Sequence, residues 1–323
     1  MDGTVDDVVT AAKAHLKFGT TSLVPTTITS SCETTIKTID NVCKAKEEKG
    51  IPHVLGVHIE GPYIALSQAG AQDTRFIISP IKEDYERIVN HKKGMVKKWT
   101  YAPELSGNDE FCDFLIKNNV IPSIGHSDAK YNDVLNAYNM GVRNLTHFYS
   151  AMSTITREMG YRIPGIIEAG YILSDMNVEV IADGSHLPVE LLKMIYMIKG
   201  PDKICLVTDA MRGATMPDGE SVIGSLSNGV KCIIEDGIAK MPDRTCFAGS
   251  VATADRLIRT FYKGVGVDIV NAVKMMTKTP ARILGEENKG MLKEGYDADI
   301  VLFDDDINIK KVIVKDKDSV NIY

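Results

Sequence analysis

Short apolar, β-branched runs alternate with amphipathic segments along most of this 323-residue chain, and this alternation restricts the fold more than any other feature. It predicts repeated βα units around a parallel sheet. Each predicted strand is nearly all apolar, as expected of strands covered on both faces. The seven predicted strands are Ser22–Thr26, Val54–Glu60, Val96–Ala102, Val120–Gly125, Val142–His147, Val178–Ala182 and Ile204–Thr208.

Amphipathic helices are predicted between these strands. They include Val5–Phe18, Thr34–Lys49, Asp128–Met140 with Ser127 as its N-cap, and Pro188–Ile198. A (β/α)8 barrel needs one more strand than the sequence supplies, and the chain opens on a helix, so we expect the first barrel strand to be missing from this sequence. A doubly wound open sheet is the alternative, but it usually carries a Gly-rich phosphate turn after its first strand, which this sequence lacks.

The regular alternation of predicted strands and helices ends after the last of these strands. Residues 222–246 are predicted to form a β-hairpin insertion with turns at Asn228–Gly229 and Asp236–Gly237, inside a barrel domain that spans residues 1–285. Helices are predicted at Val251–Lys263 and Ile269–Met276. Residues 286–323 are predicted to form the C-terminal part of a small β-sandwich, which would need partner strands from an N-terminal segment.

Composition and charge exclude several classes of protein. The net charge is -6, and no Lys/Arg cluster stands out, which argues against nucleic-acid binding. No apolar run reaches about 18 residues, and the acidic N-terminus has no apolar core, so neither a membrane span nor a signal peptide is expected. The six scattered cysteines form no CxxC pair, which favours reduced thiols in a cytoplasmic protein.

Polar residues stand where several predicted strands end, which is where barrel enzymes place their chemistry. Glu60, His126 and His147 each end a strand, as does Asp209, while the strand near residue 180 leads into Asp183 and His186. A carboxylate and two imidazoles match the ligand set of a catalytic zinc or similar ion, with Asp209 as the general base. Alone, each histidine could be a core residue and Asp209 a helix N-cap; their joint occurrence favours a metal site.

The motifs HIEGPY, GHSDA, THFYSAM, IADGSH and LVTDAM together resemble the N-acetylglucosamine-6-phosphate deacetylases of the amidohydrolase superfamily. TKTPARILG and KGMLKEGYDADIVLFD match the superfamily's C-terminal signature. The resemblance implies a metal-dependent barrel beside a small β-sandwich, which removes the N-acetyl group from a sugar phosphate in cytoplasmic amino-sugar catabolism, as a homodimer. The expected metal is zinc, with iron, cobalt or manganese as alternatives.

The same resemblance assigns roles to individual residues. Glu60, His126 and His147 match metal ligands, and Asp209 matches the catalytic aspartate. The remaining matches concern the substrate: His186 contacts it, Ala151 offers backbone groups, the Phe247–Ser250 turn with Ser250 walls the sugar pocket, and Arg157, or alternatively Arg162, holds the phosphate.

Three positions depart from the family pattern. Ser150 replaces an asparagine and Gln72 replaces a histidine, both at substrate-contacting positions, and the segment that carries Arg157 and Arg162 is longer than usual. The family's first strand, often with a His-x-His, is expected before residue 1, which leaves the number of metal ions open. Two alternatives therefore remain: an amidohydrolase acting on another N-acyl amine or a cyclic amide, and an inactive truncated fragment.

Overall fold

The computed structural model describes residues 4–227, 229–315 and 320–321. Its α-helices are α1 (Val5–Leu16), α2 (Cys32–Ala45), α3 (Lys82–His91), α4 (Asn108–Lys117), α5 (Tyr131–Met140), α6 (Ile166–Ile172), α7 (Val189–Lys199), α8 (Ala254–Arg259), α9 (Ile269–Lys274) and α10 (Lys278–Leu284). Short 3-10 helices span Leu66–Gln68 and Thr74–Phe76, and a π-helix, Thr260–Val265, continues α8.

The strands alternate with these helices over most of the chain. They are β1 (Ser22–Leu23), β2 (His53–Val54), β3 (Val57–Glu60), β4 (Val96–Tyr101), β5 (Ile121–Ile124), β6 (Asn144–Leu145), β7 (Thr156–Glu158), β8 (Tyr161–Ile163), β9 (Asn177–Val180), β10 (Ile204–Leu206), β11 (Gly219–Ile223), β12 (Val230–Glu235), β13 (Ile238–Lys240), β14 (Ile300–Phe303), β15 (Ile309–Ile313) and β16 (Val320–Asn321).

The chain folds into two compact units, each built from separate segments. Within the described residues, the first unit comprises residues 24–43 and 56–179, and the second comprises residues 4–23, 44–55 and 180–321. The predicted domain boundary at residue 285 is a different division and stays a prediction.

The first unit is built on a parallel sheet in which β3, β4, β5, β6 and β9 are neighbours in that order. Because parallel strands need crossover connections, α3, α4, α5 and α6 lie between successive strands along the chain. All the carboxyl ends of these strands therefore meet at one edge of the sheet.

Aromatic side chains form part of the packed core of this unit. Trp99 on β4 stacks on Tyr63 with ring centroids 5.7 Å apart, and Phe111 on α4 meets both rings edge-on. Tyr85 on α3 adds a further edge-to-face contact with Tyr63 at 6.5 Å. Such pairs stabilise a core beyond the area that they bury, so helices α3 and α4 are anchored on the strands that carry the functional residues.

The predicted strand Val54–Glu60 is two strands, and the prediction of one continuous strand was wrong. His53 and Val54 pair in parallel with β1, whereas Val57 onward pairs with β4. Gly56 lies at the break, and a Cβ there would be 2.5 Å from the carbonyl oxygen of Met95. Glycine therefore allows the close backbone approach at the point where pairing with β4 begins.

Helix α5 begins at Tyr131, so the predicted start at Asp128 was wrong. The Ser127 hydroxyl, predicted as its N-cap, instead donates to Glu104 and accepts from the Ala129 N–H. The N–H of Lys130 donates to the side chain of the third helical residue, and that bond defines the helix start.

In the second unit, Val207 just after β10 donates its N–H to the carbonyl of Val180 at the end of β9. β11, β12 and β13 form an antiparallel sheet, so the predicted hairpin has a third strand. Asp236 and Gly237 both adopt positive φ, as the predicted turn requires, while Asn228 lies outside the described residues.

The C-terminal residues form an antiparallel sheet of β14, β15 and β16. Helix α1 packs on it through Leu16, which contacts the cluster of Val312 and Val314. An ion-pair cluster joins Asp297 and Asp299 to Lys289. A second lysine (Lys315) bonds Asp297, and His53 lies 3.6 Å from Asp299. Since the two lysines balance the two carboxylates, we interpret this cluster as structural.

Among the described residues, none of the helices combines the length and the apolar composition needed to cross a lipid bilayer. All six cysteines are free thiols.

Candidate metal centre and active site

Glu60, His126 and His147 lie at the carboxyl ends of β3, β5 and β6, and the fold brings their side chains together. His126 Nε2 is 3.0 Å from Glu60 Oε1, and His147 Nε2 is 3.7 Å from the same oxygen. The two Nε2 atoms are 3.1 Å apart. All three residues are buried, and one ligand atom from each lies within 4.8 Å of the others. The structure thus brings the three predicted ligands together, and their role as metal ligands stays a prediction.

Each imidazole is oriented by a backbone carbonyl behind it. His126 Nδ1 lies 2.7 Å from the carbonyl oxygen of Gln68, and His147 Nδ1 lies 3.2 Å from that of Ser150. A carbonyl only accepts hydrogen bonds, so each Nδ1 carries a proton and each ring turns its Nε2 toward the other candidate ligand atoms.

This arrangement fits a divalent cation. Two lone pairs 3.1 Å apart repel each other unless a cation or a proton lies between them, and Glu60 adds a third donor atom. One ionised carboxylate with two imidazoles held at Nδ1 is the donor set of a catalytic zinc-type site.

The backbone at these positions adopts an unusual conformation. His126, His147 and Asp209 have φ values of 50°, 31° and 47°, in the left-handed region that non-glycine residues rarely adopt. Each such residue costs about 1–3 kcal/mol and persists only where its surroundings over-determine it. The strands therefore end in strained turns at three of the positions singled out by sequence.

Gly61, which follows Glu60, is required by a close approach. Its φ is 72°, and a Cβ there would lie 2.1 Å from Thr29 Oγ1. The Thr29 hydroxyl donates to the Glu60 carbonyl, and the Trp99 indole N–H donates to the Gly61 carbonyl at 2.8 Å. The backbone carbonyls of Glu60 and Gly61 are therefore both fixed by hydrogen bonds.

The loop after β3 returns to support two of the candidate ligands. Gln72 Nε2 donates to Glu60 Oε1 at 2.7 Å, and Gln72 Oε1 accepts from the Thr29 N–H at 2.8 Å. Because a backbone N–H can only donate, the second bond fixes which end of the amide faces Glu60. The carbonyl of Gln68 orients His126, while the Gln68 side chain bonds Asp128. Gln72 therefore supports a candidate ligand; its predicted contact with substrate stays a prediction.

A series of buried hydrogen bonds crosses the sheet beside Glu60, and it includes Thr100, the direct partner of Glu60 on β4. Thr26 Oγ1 lies 3.1 Å from His58 Nδ1, and His58 Nε2 lies 2.7 Å from Thr100 Oγ1. Further hydrogen bonds join Thr100 to Thr146 at 2.7 Å and Thr146 to Ser123 at 2.6 Å. The strands are thus apolar on one face only, which corrects the prediction of strands that are nearly all apolar.

The sheet also holds a buried ion pair between Lys98 on β4 and Glu179 on β9. Both side chains are less than a tenth exposed. Burial, together with the nearby charge of Lys98, holds the pKa of His58 well below its usual value, so this ring is neutral.

The second unit holds another histidine–carboxylate pair. His186 Nδ1 lies 2.7 Å from Asp183 Oδ2, and Phe247 packs against the imidazole with centroids 4.9 Å apart. Burial alone would raise the pKa of Asp183, but hydrogen bonds from His186 and the Ser185 N–H outweigh it and lower that pKa. Ser250 is fully buried, and its hydroxyl donates to Asp183 at 3.2 Å. In this conformation Ser250 supports His186 through Asp183, and its predicted contact with the sugar gains no support.

Asp209 follows β10 in the second unit. Its carbonyl accepts from the Ser250 N–H at 2.9 Å, and the neighbouring Ala210 bridges to Ser250 in parallel. These bonds tie the turn carrying Asp209 to the segment beneath His186. The role of Asp209 as a base remains a prediction.

The predicted substrate residues of the first unit lie after β6 and on the β7–β8 hairpin. Ser150 contributes its carbonyl to His147, and Ala151, at φ 49°, accepts from the Ser127 N–H. Arg157 and Arg162 are both exposed and are direct cross-strand partners. Directly opposed residues of an antiparallel pair project on the same face, so the two guanidinium groups share one side of the hairpin.

Sequence reasoning did not single out Gln68, and it placed Asp183 at a strand end without assigning it a role. Gln68 acts through its backbone carbonyl, which every residue type carries, so its identity could not reveal this role. The contact of Asp183 with His186 could have been predicted, since the two residues form a local Asp-x-x-His pattern.

Comparisons with known proteins identify the family of this chain. The model of the amidohydrolase family matches residues 4–323. An N-acetylglucosamine-6-phosphate deacetylase of Lysinibacillus sphaericus is 33% identical over 301 residues, covering 92% of this chain and 75% of that protein. An N-acetylgalactosamine-6-phosphate deacetylase of Shewanella sp. (strain ANA-3) is 30% identical over 303 residues, covering 93% and 73%.

A solved structure extends the likeness to three dimensions. It is that of a mutant N-acetyl-D-glucosamine-6-phosphate deacetylase from Mycobacterium smegmatis in complex with N-acetyl-D-glucosamine-6-phosphate. The TM-score is 0.88 at 28% identity, over 97% of this chain and 80% of that one. The predicted fold class, an α/β fold of the metal-dependent hydrolase type, is confirmed. With its sequence matched almost from end to end, this chain belongs to the amidohydrolase family.

Proposed function

We propose that this chain is a metal-dependent deacetylase that hydrolyses N-acetylglucosamine-6-phosphate to glucosamine-6-phosphate and acetate. The observation that carries the proposal is the convergence of Glu60, His126 and His147, with both imidazoles fixed at Nδ1 and both Nε2 atoms turned inward. The named activity of the relatives supplies the substrate.

Glu60, His126 and His147 would hold the ion. A bound divalent ion supplies Lewis-acid chemistry, polarising the amide carbonyl and lowering the pKa of water toward about 7. Asp209 accepts a proton from the attacking water and returns it to the departing amine. The water oxygen joins the acyl carbon as the C–N bond breaks, which yields acetate and a free amine. His186 contacts the substrate through Nε2, the ring nitrogen that Asp183 does not occupy.

Arg157 and Arg162 are proposed as the phosphate-binding pair. Two cations placed directly opposite on neighbouring strands destabilise a hairpin, and an anion between them relieves the repulsion. Arginine also binds phosphate through paired N–H donors. The pairing in register supports a contribution from both side chains, with Arg157 as the principal one.

A second candidate keeps the chemistry and changes the substrate to another N-acyl amine or a cyclic amide. The observation that favours it is Gln72, whose amide bonds Glu60 where the resembling family has a histidine. An amide does not titrate near neutral pH, so Gln72 cannot act as an acid or a base at this position.

Three finer proposals accompany the activity. Zinc is the proposed ion, because one carboxylate and two imidazoles suit it. The free state of all six cysteines supports a cytoplasmic location. A homodimer is proposed from the resemblance to the family and is tested by light scattering of the purified protein.

The deciding experiment is a panel of zinc-loaded protein with N-acetylglucosamine-6-phosphate, N-acetylgalactosamine-6-phosphate and unphosphorylated N-acetylglucosamine, in which acetate release is measured. We expect turnover of the first and a large loss without the phosphate. Asp209→Asn should abolish turnover with full zinc content, whereas Glu60→Gln should lose zinc. Turnover of a cyclic amide or another N-acyl amine, with none of these sugars hydrolysed by the zinc-loaded protein, would refute the proposal.

A further inference from the structure

Each carboxylate oxygen of Asp183 accepts two hydrogen bonds from other groups of the protein. Its Oδ1 accepts from the N–H groups of Ser185 and His186, both at 2.8 Å. Its Oδ2 accepts from His186 Nδ1 at 2.7 Å and from the Ser250 hydroxyl at 3.2 Å. The side chain has no exposed surface, so no solvent competes for these bonds.

The backbone of Asp183 is fixed as firmly as its side chain. Arg256 donates to the Asp183 carbonyl from both Nε, at 3.1 Å, and Nη2, at 2.7 Å. The remaining Nη1 donates to the carbonyl of Gly237 at 2.8 Å. A planar guanidinium that bonds at both ends restrains the peptide in position and direction.

Two roles for this carboxylate are distinguishable. The bonds at Oδ1 close an Asx-type turn, which any aspartate or asparagine can form. The bond at Oδ2 does more, because an ionised carboxylate oxygen only accepts, so His186 Nδ1 must donate. The neutral ring is then locked in the tautomer that leaves Nε2 as a hydrogen-bond acceptor.

We propose that Asp183 is the positioning residue of His186, which it holds by Nδ1 so that Nε2 is the atom presented to the substrate. Phe247 packs against the ring and limits its rotation. That His186 meets the sugar phosphate rests on the proposed function, whereas the tautomer itself does not.

Asp183→Asn separates the two roles. The asparagine oxygen stays at the Oδ1 position, where two N–H groups require an acceptor, and the turn is kept. The amide NH2 then occupies the Oδ2 position and can only donate, so His186 Nδ1 must become the acceptor and the proton moves to Nε2. Ser250→Ala is the matched control, because it removes a neighbouring donor without touching the bond to His186.

The tautomer is read by long-range 1H–15N correlation spectra of protein labelled with 15N-histidine, at a pH where the ring is neutral, with His186→Gln assigning the signal. We expect a protonated Nδ1 in the wild type and in Ser250→Ala, and a protonated Nε2 in Asp183→Asn. A wild-type ring protonated at Nε2 would overturn the proposal even if the asparagine variant failed to fold. So would a folded Asp183→Asn protein with an unchanged tautomer.

Kinetics supply the second readout. Asp183→Asn should lower kcat/KM for N-acetylglucosamine-6-phosphate by about 10- to 100-fold, mainly through KM, with unchanged bound zinc. An unchanged kcat/KM in a variant with a switched tautomer would overturn the positioning role. Absence of turnover in the zinc-loaded wild type would count against the proposed function alone, since the spectra judge the Asp183–His186 pair independently.

Discussion

Gln72 gives the sharpest test of the candidate metal centre. Its amide donates to Glu60 Oε1 at 2.7 Å and is locked by the Thr29 N–H at 2.8 Å, so it restrains a glutamate side chain with three rotatable bonds. Gln72→Ala removes that restraint without touching Glu60, His126 or His147.

Two effects of this change oppose each other. Loss of a donor makes Glu60 Oε1 more basic, which favours a cation, but a carboxylate has about four lone-pair sites, so the donor was not excluding the metal. The freed side chain must be reordered on binding, at a cost of up to about 1.5–2 kcal/mol. The cost of reordering the Glu60 side chain outweighs the gain in basicity. We therefore expect zinc affinity to fall by about 10- to 100-fold, the usual effect of removing a hydrogen-bond partner of a metal ligand.

The assay is competition for Zn²⁺ with a chromogenic chelator, with Gln68→Ala as the control. Gln68 is the same residue type in the same loop, yet its side chain bonds Asp128 and only its backbone touches a candidate ligand. Urea unfolding followed by Trp99, the single tryptophan, verifies that both variants are folded. Equal zinc affinity in Gln72→Ala, Gln68→Ala and the wild type would refute the reasoning.

Three further outcomes are expected. Arg157→Ala with Arg162→Ala should raise KM for the phosphorylated sugar by at least about 10-fold and leave KM for the unphosphorylated sugar unchanged; equal increases for both would contradict phosphate binding. Lys98→Met should lower the free energy of unfolding by about 3–5 kcal/mol because Glu179 is left charged and buried, while adding Glu179→Leu should restore much of it; additive losses in urea titrations would argue against coupling. Burial would raise the pKa of Asp299, but its bonds to His53, Lys289 and the Lys315 N–H lower it to about 2. The stability from those bonds is therefore present above pH 3.8 and lost as the pH falls toward 2; Asp299→Asn should remove about 1 kcal/mol of it, and an unchanged acid-unfolding curve in that variant would contradict this.

The sequence by itself determined which residues converge at the candidate metal centre. Glu60, His126 and His147 each follow an apolar run, and parallel strands place their carboxyl ends at one edge, so a local pattern was enough to predict a long-range meeting. The same logic predicted the helix–strand order, since periodicity is a property of neighbouring residues.

Strand and helix ends were less predictable because long-range contacts decide them. The predicted strand Val54–Glu60 is interrupted at Gly56, where pairing with β4 begins, and Ser127 bonds Glu104 instead of capping α5. The buried polar groups of the sheet were also not predicted, because His58 and Thr100 are 42 positions apart and bond each other only when β3 lies beside β4.

Only the tertiary structure decided how the functional side chains are held. Gln72 reaches Glu60 from a returning loop, Gln68 orients His126 through a carbonyl that every residue type carries, and Ser250 supports Asp183 from 67 positions away. Residue type and local spacing reveal which groups can do chemistry. Tautomer, orientation and support depend on which atoms the folded chain brings within hydrogen-bond distance, and no local pattern encodes that.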